Sequence, residues 1–164
     1  MSEALWAHRD RPTPGPDASS VGRWEPATGS ELTTNRRQLA AALRDGDCPP
    51  GTDDDAVDEL LLAFEELASN ALRHGCGQVR ASVTNAGDYW LLDVSDAAVD
   101  RPPTPAIDRD AAEGGLGLYM IAQLCSAHGW TVDEKRKHVW ACVDHTPTEE
   151  TAVGCGAGPR ASRR

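Results

Sequence analysis

Apolar residues recur every three or four positions in two stretches of the chain, which is the spacing of an amphipathic helix. The first stretch runs from Glu31 to Gly46, a residue that can end a helix, and its apolar stripe consists of Leu32, Leu39 and Leu43. The second runs from Asp53 to Gly75, and its stripe consists of Val57, Leu60, Leu61, Phe64, Leu67, Ala68 and Ala71. These patterns predict two helices, of which the second is long and buries one face.

Strands are indicated further along, where apolar and polar residues alternate. QVRASVT (78–84) and YWLLDVS (89–95) flank a short turn and predict a hairpin. A Pro-rich acidic stretch, residues 96–115, has no periodicity and is typical of a functional lid or a disordered loop. GLGLYMIAQLCSAHG then predicts a third helix ending at Gly129, and WTVDE and HVWACV predict a second hairpin around a turn at 135–137. This order predicts an α+β fold in which helices cover one face of a single sheet.

Composition divides the chain into one domain, residues 31–144, and two flexible ends, residues 1–30 and 145–164. The ends bury too little apolar surface to offset chain entropy, and only a short strand near residues 21–25 is predicted there. The net charge of −10 argues against a nucleic-acid groove. Short apolar runs and a polar N-terminus indicate a cytoplasmic protein without a membrane helix. Five scattered cysteines suggest neither a disulfide framework nor a zinc site.

The second predicted helix carries the first candidate for chemistry, in the segment EELASNALRHG. Glu66 and Asn70 are four residues apart and therefore project from the same helix face. The Asn70 amide oxygen is a suitable ligand for Mg²⁺, and Glu66 can polarise a hydroxyl or a water one turn earlier. The same pair on an exposed helix is common without any function, so the pair alone leaves both interpretations open.

Two further features follow in the chain. Asp96 ends the second strand, where its carboxylate can accept a hydrogen bond from the exocyclic amine of adenine or, alternatively, cap a turn. Gly114, Gly115 and Gly117 lead into the third helix, whose N-terminal N–H groups can face phosphate, although such a cluster also serves as a hinge. The cluster lacks the Lys-Ser or Lys-Thr of a P-loop, and no strand immediately precedes it as in a dinucleotide fingerprint.

The order of these three features resembles the GHKL family of histidine-kinase-like ATPases, in which they are the N box, the G1 box and the G2 box. The segment EELASNALRHG is most similar to the stand-alone bacterial anti-sigma factor serine/threonine kinases, as is an upstream helix with Asn35, Arg36 and Arg37. The resemblance covers residues 31–143. It implies a Bergerat-type two-layer α/β sandwich, with a mixed, mostly antiparallel sheet covered on one face by helices.

The resemblance also implies ATP and Mg²⁺ as cofactors, with Glu66 as the general base and Asn70 as the Mg²⁺ ligand. The implied nucleotide-binding residues are Asn70, Arg73, His74, Asp96, Gly115, Leu116, Gly117 and Leu118. One departure concerns the G1 box, which usually reads Asp-x-Gly-x-Gly, because Asp96 is followed here by Ala97 and Ala98. Without those glycines the backbone near adenine is stiffer, and weak ATP affinity is expected.

By the same resemblance, the expected function is that of an anti-sigma factor. The protein would bind ATP with Mg²⁺, sequester a sigma factor of RNA polymerase, and phosphorylate a Ser or Thr of a STAS-type anti-anti-sigma antagonist. A homodimer is implied. The alternative is a non-catalytic binding module that captures a sigma factor or another regulator with weak or no ATP turnover, since the altered G1 box is compatible with either function.

Overall fold

A computed structural model describes residues 5–103 and 116–145 of the protein. In chain order the elements are β1 (Ser19–Trp24), α1 (Gly29–Ala42), α2 (Asp54–His74), β2 (Arg80–Asn85), β3 (Tyr89–Asp96), α3 (Leu116–Leu124), β4 (Ala127–Asp133) and β5 (Arg136–Asp144). A wide helical turn, Leu43–Asp47, follows α1. The five strands form one sheet in the order β1-β2-β3-β5-β4, and every neighbouring pair is antiparallel.

The helices pack on one face of this sheet. α2 begins at a cap in which Asp53 accepts a hydrogen bond from the backbone N–H of Asp55 at 3.1 Å, and acidic residues in its first turn suit the positive end of the helix dipole. Its apolar stripe meets the inward residues of β3 and β5, which are Trp90, Leu92, Val94, Val139, Ala141 and Val143. The predicted α+β class, with helices on one face of a mostly antiparallel sheet, is confirmed and is consistent with the Bergerat fold. None of the helices in the described part of the chain has the length and apolar character needed to cross a bilayer.

The end of α3 differs from the sequence prediction. The helix ends at Leu124 rather than at Gly129, because the chain turns into β4 as soon as the Ser126 N–H bonds the carbonyl of Cys142 at 3.0 Å. Gly129 lies within β4 beneath Trp140, where an added Cβ would be 2.9 Å from the indole. The glycine therefore serves close packing in a strand and does not end a helix.

The turn between β4 and β5 is also tighter than predicted. It lies at Glu134, whose φ is 47°, and Lys135, so that Arg136 and Lys137 belong to β5 and pair with β4. Because side chains alternate along a strand, this earlier start places Lys137 on the face that carries Val139. Lys137, which the sequence placed in a turn, is consequently a buried residue of a strand.

The N-terminal segment contains the short strand that the sequence predicted near residues 21–25, which corresponds to β1. β1 pairs with β2 along the edge of the sheet. Upstream of β1, Arg9 donates its backbone N–H to the carbonyl of Trp130 at 3.0 Å, and the Trp140 indole donates to the carbonyl of Arg9 at 3.1 Å. Residues 5–24 thus extend the sheet edge and cross part of the face opposite the helices. The predicted tail beyond His145 lies outside the described residues.

Trp6 anchors this N-terminal segment to the helix layer. Its side chain is buried, its indole donates to the carbonyl of Leu118 at 3.1 Å, and its ring lies against His128.

Trp6→Ala is expected to lower the free energy of unfolding by about 3–5 kcal/mol, because a large buried ring and its hydrogen bond are both lost. Urea denaturation measures this loss. Asp10→Ala, an exposed change in the same segment, should stay within about 0.5 kcal/mol of wild type, and equal effects of the two changes would contradict the anchor.

Candidate functional site

The fold brings two of the predicted residues, Glu66 and Gly117, into direct contact. Glu66 lies on the half-buried face of α2, and its carboxylate packs directly on the backbone of α3 at Gly117. A Cβ at position 117 would overlap Glu66 Oε2, so only glycine permits this approach without movement. The acid of the second helix and the glycine-led start of the third helix therefore form one site.

The surroundings of Glu66 make it a stronger base than an exposed carboxylate. Partial burial raises the pKa of Glu66 above its usual value, and the neighbouring carboxylate of Glu65 raises it further. The exposed guanidinium of Arg73 opposes these effects and lowers the pKa. A raised pKa favours proton uptake by Glu66, which is what general-base chemistry on a hydroxyl requires.

Asn70 lies one turn beyond Glu66 on α2 and is partly exposed. Its side chain makes no hydrogen bond to any residue that the structure describes. Mg²⁺ commonly keeps several waters and takes its other ligands from one or two side chains and from phosphate, a requirement that an amide oxygen beside an acid fits. His74, at the last turn of α2, is exposed.

Asp96 occupies the other end of the site. It is the last residue of β3, it is only 1% exposed, and its Oδ1 accepts the backbone N–H of Ala98 at 2.7 Å. Gly75, which follows α2, packs on it so closely that an added Cβ would be 2.6 Å from Asp96 Cγ. Since Gly75 follows Glu66 by nine residues, the backbone positions of Glu66 and Gly75 are roughly 13 Å apart along the α2 axis. Asp96 therefore caps the turn at the end of β3, and its second oxygen faces the carboxyl end of α2.

Lys137 is a member of this cluster that sequence reasoning missed. It is 5% exposed, its Nζ lies 3.5 Å from Asp96 Oδ2, and it donates a hydrogen bond to the carbonyl of Arg101 at 2.7 Å. The register of the sheet pairs Lys137 with Asp96 across β3 and β5. The signal was present in the sequence, because the alternation of HVWACV, extended back by one inward position, reaches Lys137.

The remaining predicted contacts belong to the start of α3. Gly115, like Gly114, lies outside the described residues, and α3 begins at Leu116. The side chain of Leu118 lies in the core rather than in the site, while its carbonyl accepts the hydrogen bond from Trp6. Any contact of Leu118 with a nucleotide would therefore be made by its backbone.

Comparison with known proteins adds one match. A family model described as the histidine kinase-like ATPase domain matches residues 26–143, which is most of the chain and includes every predicted site residue. A search of curated proteins finds no match to this sequence.

Proposed function

The chain belongs to the histidine kinase-like ATPase domain family, and from that premise we propose that it binds ATP with Mg²⁺ between α2, the end of β3 and the start of α3. The observation that carries the proposal is the contact of Glu66 with Gly117 at one end of α2, combined with the burial of Asp96 against Gly75 at the other end. An extended nucleotide suits a site whose two ends lie against positions of α2 that are nine residues, roughly 13 Å, apart.

The side chains around the nucleotide have different roles. Asp96 Oδ2 accepts a hydrogen bond from the exocyclic amine of adenine, because Oδ1 already serves the Ala98 N–H. The N–H groups of the first turn of α3 contact the phosphates, and Asn70 would hold the Mg²⁺, which would neutralise charge on the phosphates. Glu66 takes the proton from the attacking hydroxyl. Arg73 and His74 lie at the exposed end of α2, where they can contact the nucleotide from the solvent side.

The reaction we propose is phosphoryl transfer from ATP to a Ser or Thr of a STAS-type anti-anti-sigma antagonist, by a protein that also sequesters a sigma factor and forms a homodimer. Support comes from the similarity of EELASNALRHG to the anti-sigma factor kinases and from the raised pKa of Glu66, which suits a base that acts on a hydroxyl. Arg36 on α1 pairs with Glu65 at 3.2 Å, so α1, which also carries the exposed Arg37, lies next to the site. A partner that contacts α1 would thereby sit close to Glu66.

One observation favours the second candidate, a binding module with little or no turnover. Both oxygens of Asp96 already have protein neighbours, Ala98 for Oδ1 and Lys137 for Oδ2, and no glycine follows Asp96 in the altered G1 box. Adenine must therefore compete with, or add to, contacts that the protein itself makes. This arrangement supports weak ATP affinity.

Nucleotide binding is the first test. Isothermal titration calorimetry should show ATP binding that is stronger with Mg²⁺ than without it, and Asn70→Ala should remove most of this Mg²⁺ dependence, because the amide ligand is lost. Gln123→Ala, which removes an exposed amide from α3, is the control and should behave as wild type. No ATP binding by the wild-type protein, or an Mg²⁺ effect that survives in Asn70→Ala, would overturn the proposed site.

Labelled ATP separates the two candidate functions. Transfer of label to a purified antagonist supports the kinase, whereas tight binding of a sigma factor with ATP bound but no transfer supports the module.

A further inference from the structure

Two opposite charges are buried together at the adenine end of the proposed site. Asp96 is 1% exposed and Lys137 is 5% exposed, and their charged atoms are 3.5 Å apart. Removing two charges from water costs free energy that their attraction does not always restore. The buried pair therefore costs folding free energy in a place where two apolar side chains could fill the same space. A ligand that bonds both groups would offset part of this cost.

The hydrogen-bonding capacity of the pair is only partly used. A lysine ammonium has three N–H donors, and Lys137 gives one to the carbonyl of Arg101 at 2.7 Å. Its distance of 3.5 Å from Asp96 Oδ2 exceeds the usual length of an N–H to oxygen hydrogen bond, so this contact is an ion pair. Asp96 Oδ1 is occupied by the Ala98 N–H. Among the residues that the structure describes, a donor on Lys137 and an acceptor on Asp96 Oδ2 have no hydrogen-bond partner, and they lie side by side.

Adenine presents the complementary arrangement on one edge, with the exocyclic amine as a donor next to ring nitrogen N1 as an acceptor. Building on the proposed function, we propose that Lys137 contacts the base directly: its Nζ donates to adenine N1 while Asp96 Oδ2 accepts from the exocyclic amine. Lys137 is then a specificity-determining residue. Its side chain supplies a charged donor in a chain whose G1 box has Ala98 and Asp100 at the two glycine positions.

The contact also involves the loop that follows β3. Lys137 donates to the carbonyl of Arg101, and Asp96 accepts from the Ala98 N–H. The first residues of that loop therefore fix both side chains that would contact the base. The Ala97 N–H is bonded in turn to the carbonyl of Cys76, just beyond α2, at 2.7 Å. The donor and the acceptor are thus oriented before a nucleotide arrives, which reduces the entropy cost of binding.

The test removes the acceptor from the ligand and the donor from the protein separately. Wild-type protein with Mg²⁺ is titrated with ATP and with 1-deaza-ATP, in which a C–H replaces N1. We expect 1-deaza-ATP to bind roughly ten- to hundredfold more weakly, the effect of one hydrogen bond to a charged group. In Lys137→Met the two nucleotides should bind equally. Lys135→Met changes the only other lysine, which is exposed in the β4–β5 turn, and should retain the wild-type ratio.

The ratio of the two affinities distinguishes base contact from a structural role. If Lys137 only supports Asp96, Lys137→Met should weaken the binding of both nucleotides by the same factor. The ratio of their affinities would then stay at the wild-type value, which would overturn the inference. Equal binding of the two nucleotides by wild type would overturn it too, whether or not the variant folds. Absence of ATP binding by wild type would remove the proposed function and this inference together, whereas ATP binding without discrimination removes this inference alone.

Discussion

Glu66→Gln is expected to lower phosphoryl transfer by about 10²- to 10⁴-fold, the range for loss of a general base, and to leave ATP binding close to wild type. Gln matches Glu in size, so the packing of position 66 on Gly117 is kept while the proton acceptor is lost. Single-turnover transfer of labelled phosphate and calorimetry of ATP binding measure the two quantities separately. Full transfer by Glu66→Gln would show that another group accepts the proton.

The pH dependence of transfer gives an independent check on Glu66. Because its pKa is raised by burial and by Glu65, transfer should increase as the pH rises through that pKa and the carboxylate becomes ionised. Glu65→Gln removes a neighbouring negative charge and should move this limb to lower pH. Arg73→Ala removes an opposing positive charge and should move it to higher pH. If the rising part of the pH profile stays at the same pH in both variants, Glu66 is not the general base.

Gly117→Ala is expected to reduce transfer by about 10²-fold, because the new Cβ would occupy the position of Glu66 Oε2 and would displace either the carboxylate or the start of α3. The cost to folding should be small, since the displaced atoms are at the end of a flexible side chain and alanine favours a helix. Transfer assays and thermal unfolding together test this separation.

Gly29→Ala is the matched control for that experiment. It also replaces the glycine of a helical first turn, but an added Cβ there meets nothing within 4 Å. Transfer and thermal stability should both stay at or slightly above the wild-type level. If Gly117→Ala behaved like Gly29→Ala, the close contact of α3 with Glu66 would have no part in the reaction.

Periodicity predicted the elements that carry most of the site. The one-sided pattern from Asp53 to Gly75 corresponds to α2, Asp54–His74, because a long apolar stripe has only one way to face a sheet. The hairpin of β2 and β3 was also predicted, since alternation and a short polar turn are local signals. Glu66 and Asp96 could therefore be placed on their elements from the sequence alone.

The structure differs from the sequence prediction where a residue's role depends on a neighbour that is distant in the chain. Gly129 carries the local signal of a helix end, yet its actual role is set by Trp140 of another strand. Residues 5–24 are polar and Pro-rich, and their order comes from bonds to β2, β4 and β5 that composition does not show. Alternation reaches Lys137, but its ion pair with Asp96 depends on the register between β3 and β5, which no local signal shows.

The anchor provided by Trp6 has a practical consequence for how the domain is delimited. The family match begins at residue 26, so a protein cut to the matched span would keep Glu66, Asp96 and Gly117. It would lose β1 and the indole that holds the carbonyl of Leu118 at the start of α3. Such a fragment would contain the nucleotide-site residues named here and still lack the Trp6 contact with the first turns of α3, so its failure to turn over ATP would say nothing about those residues.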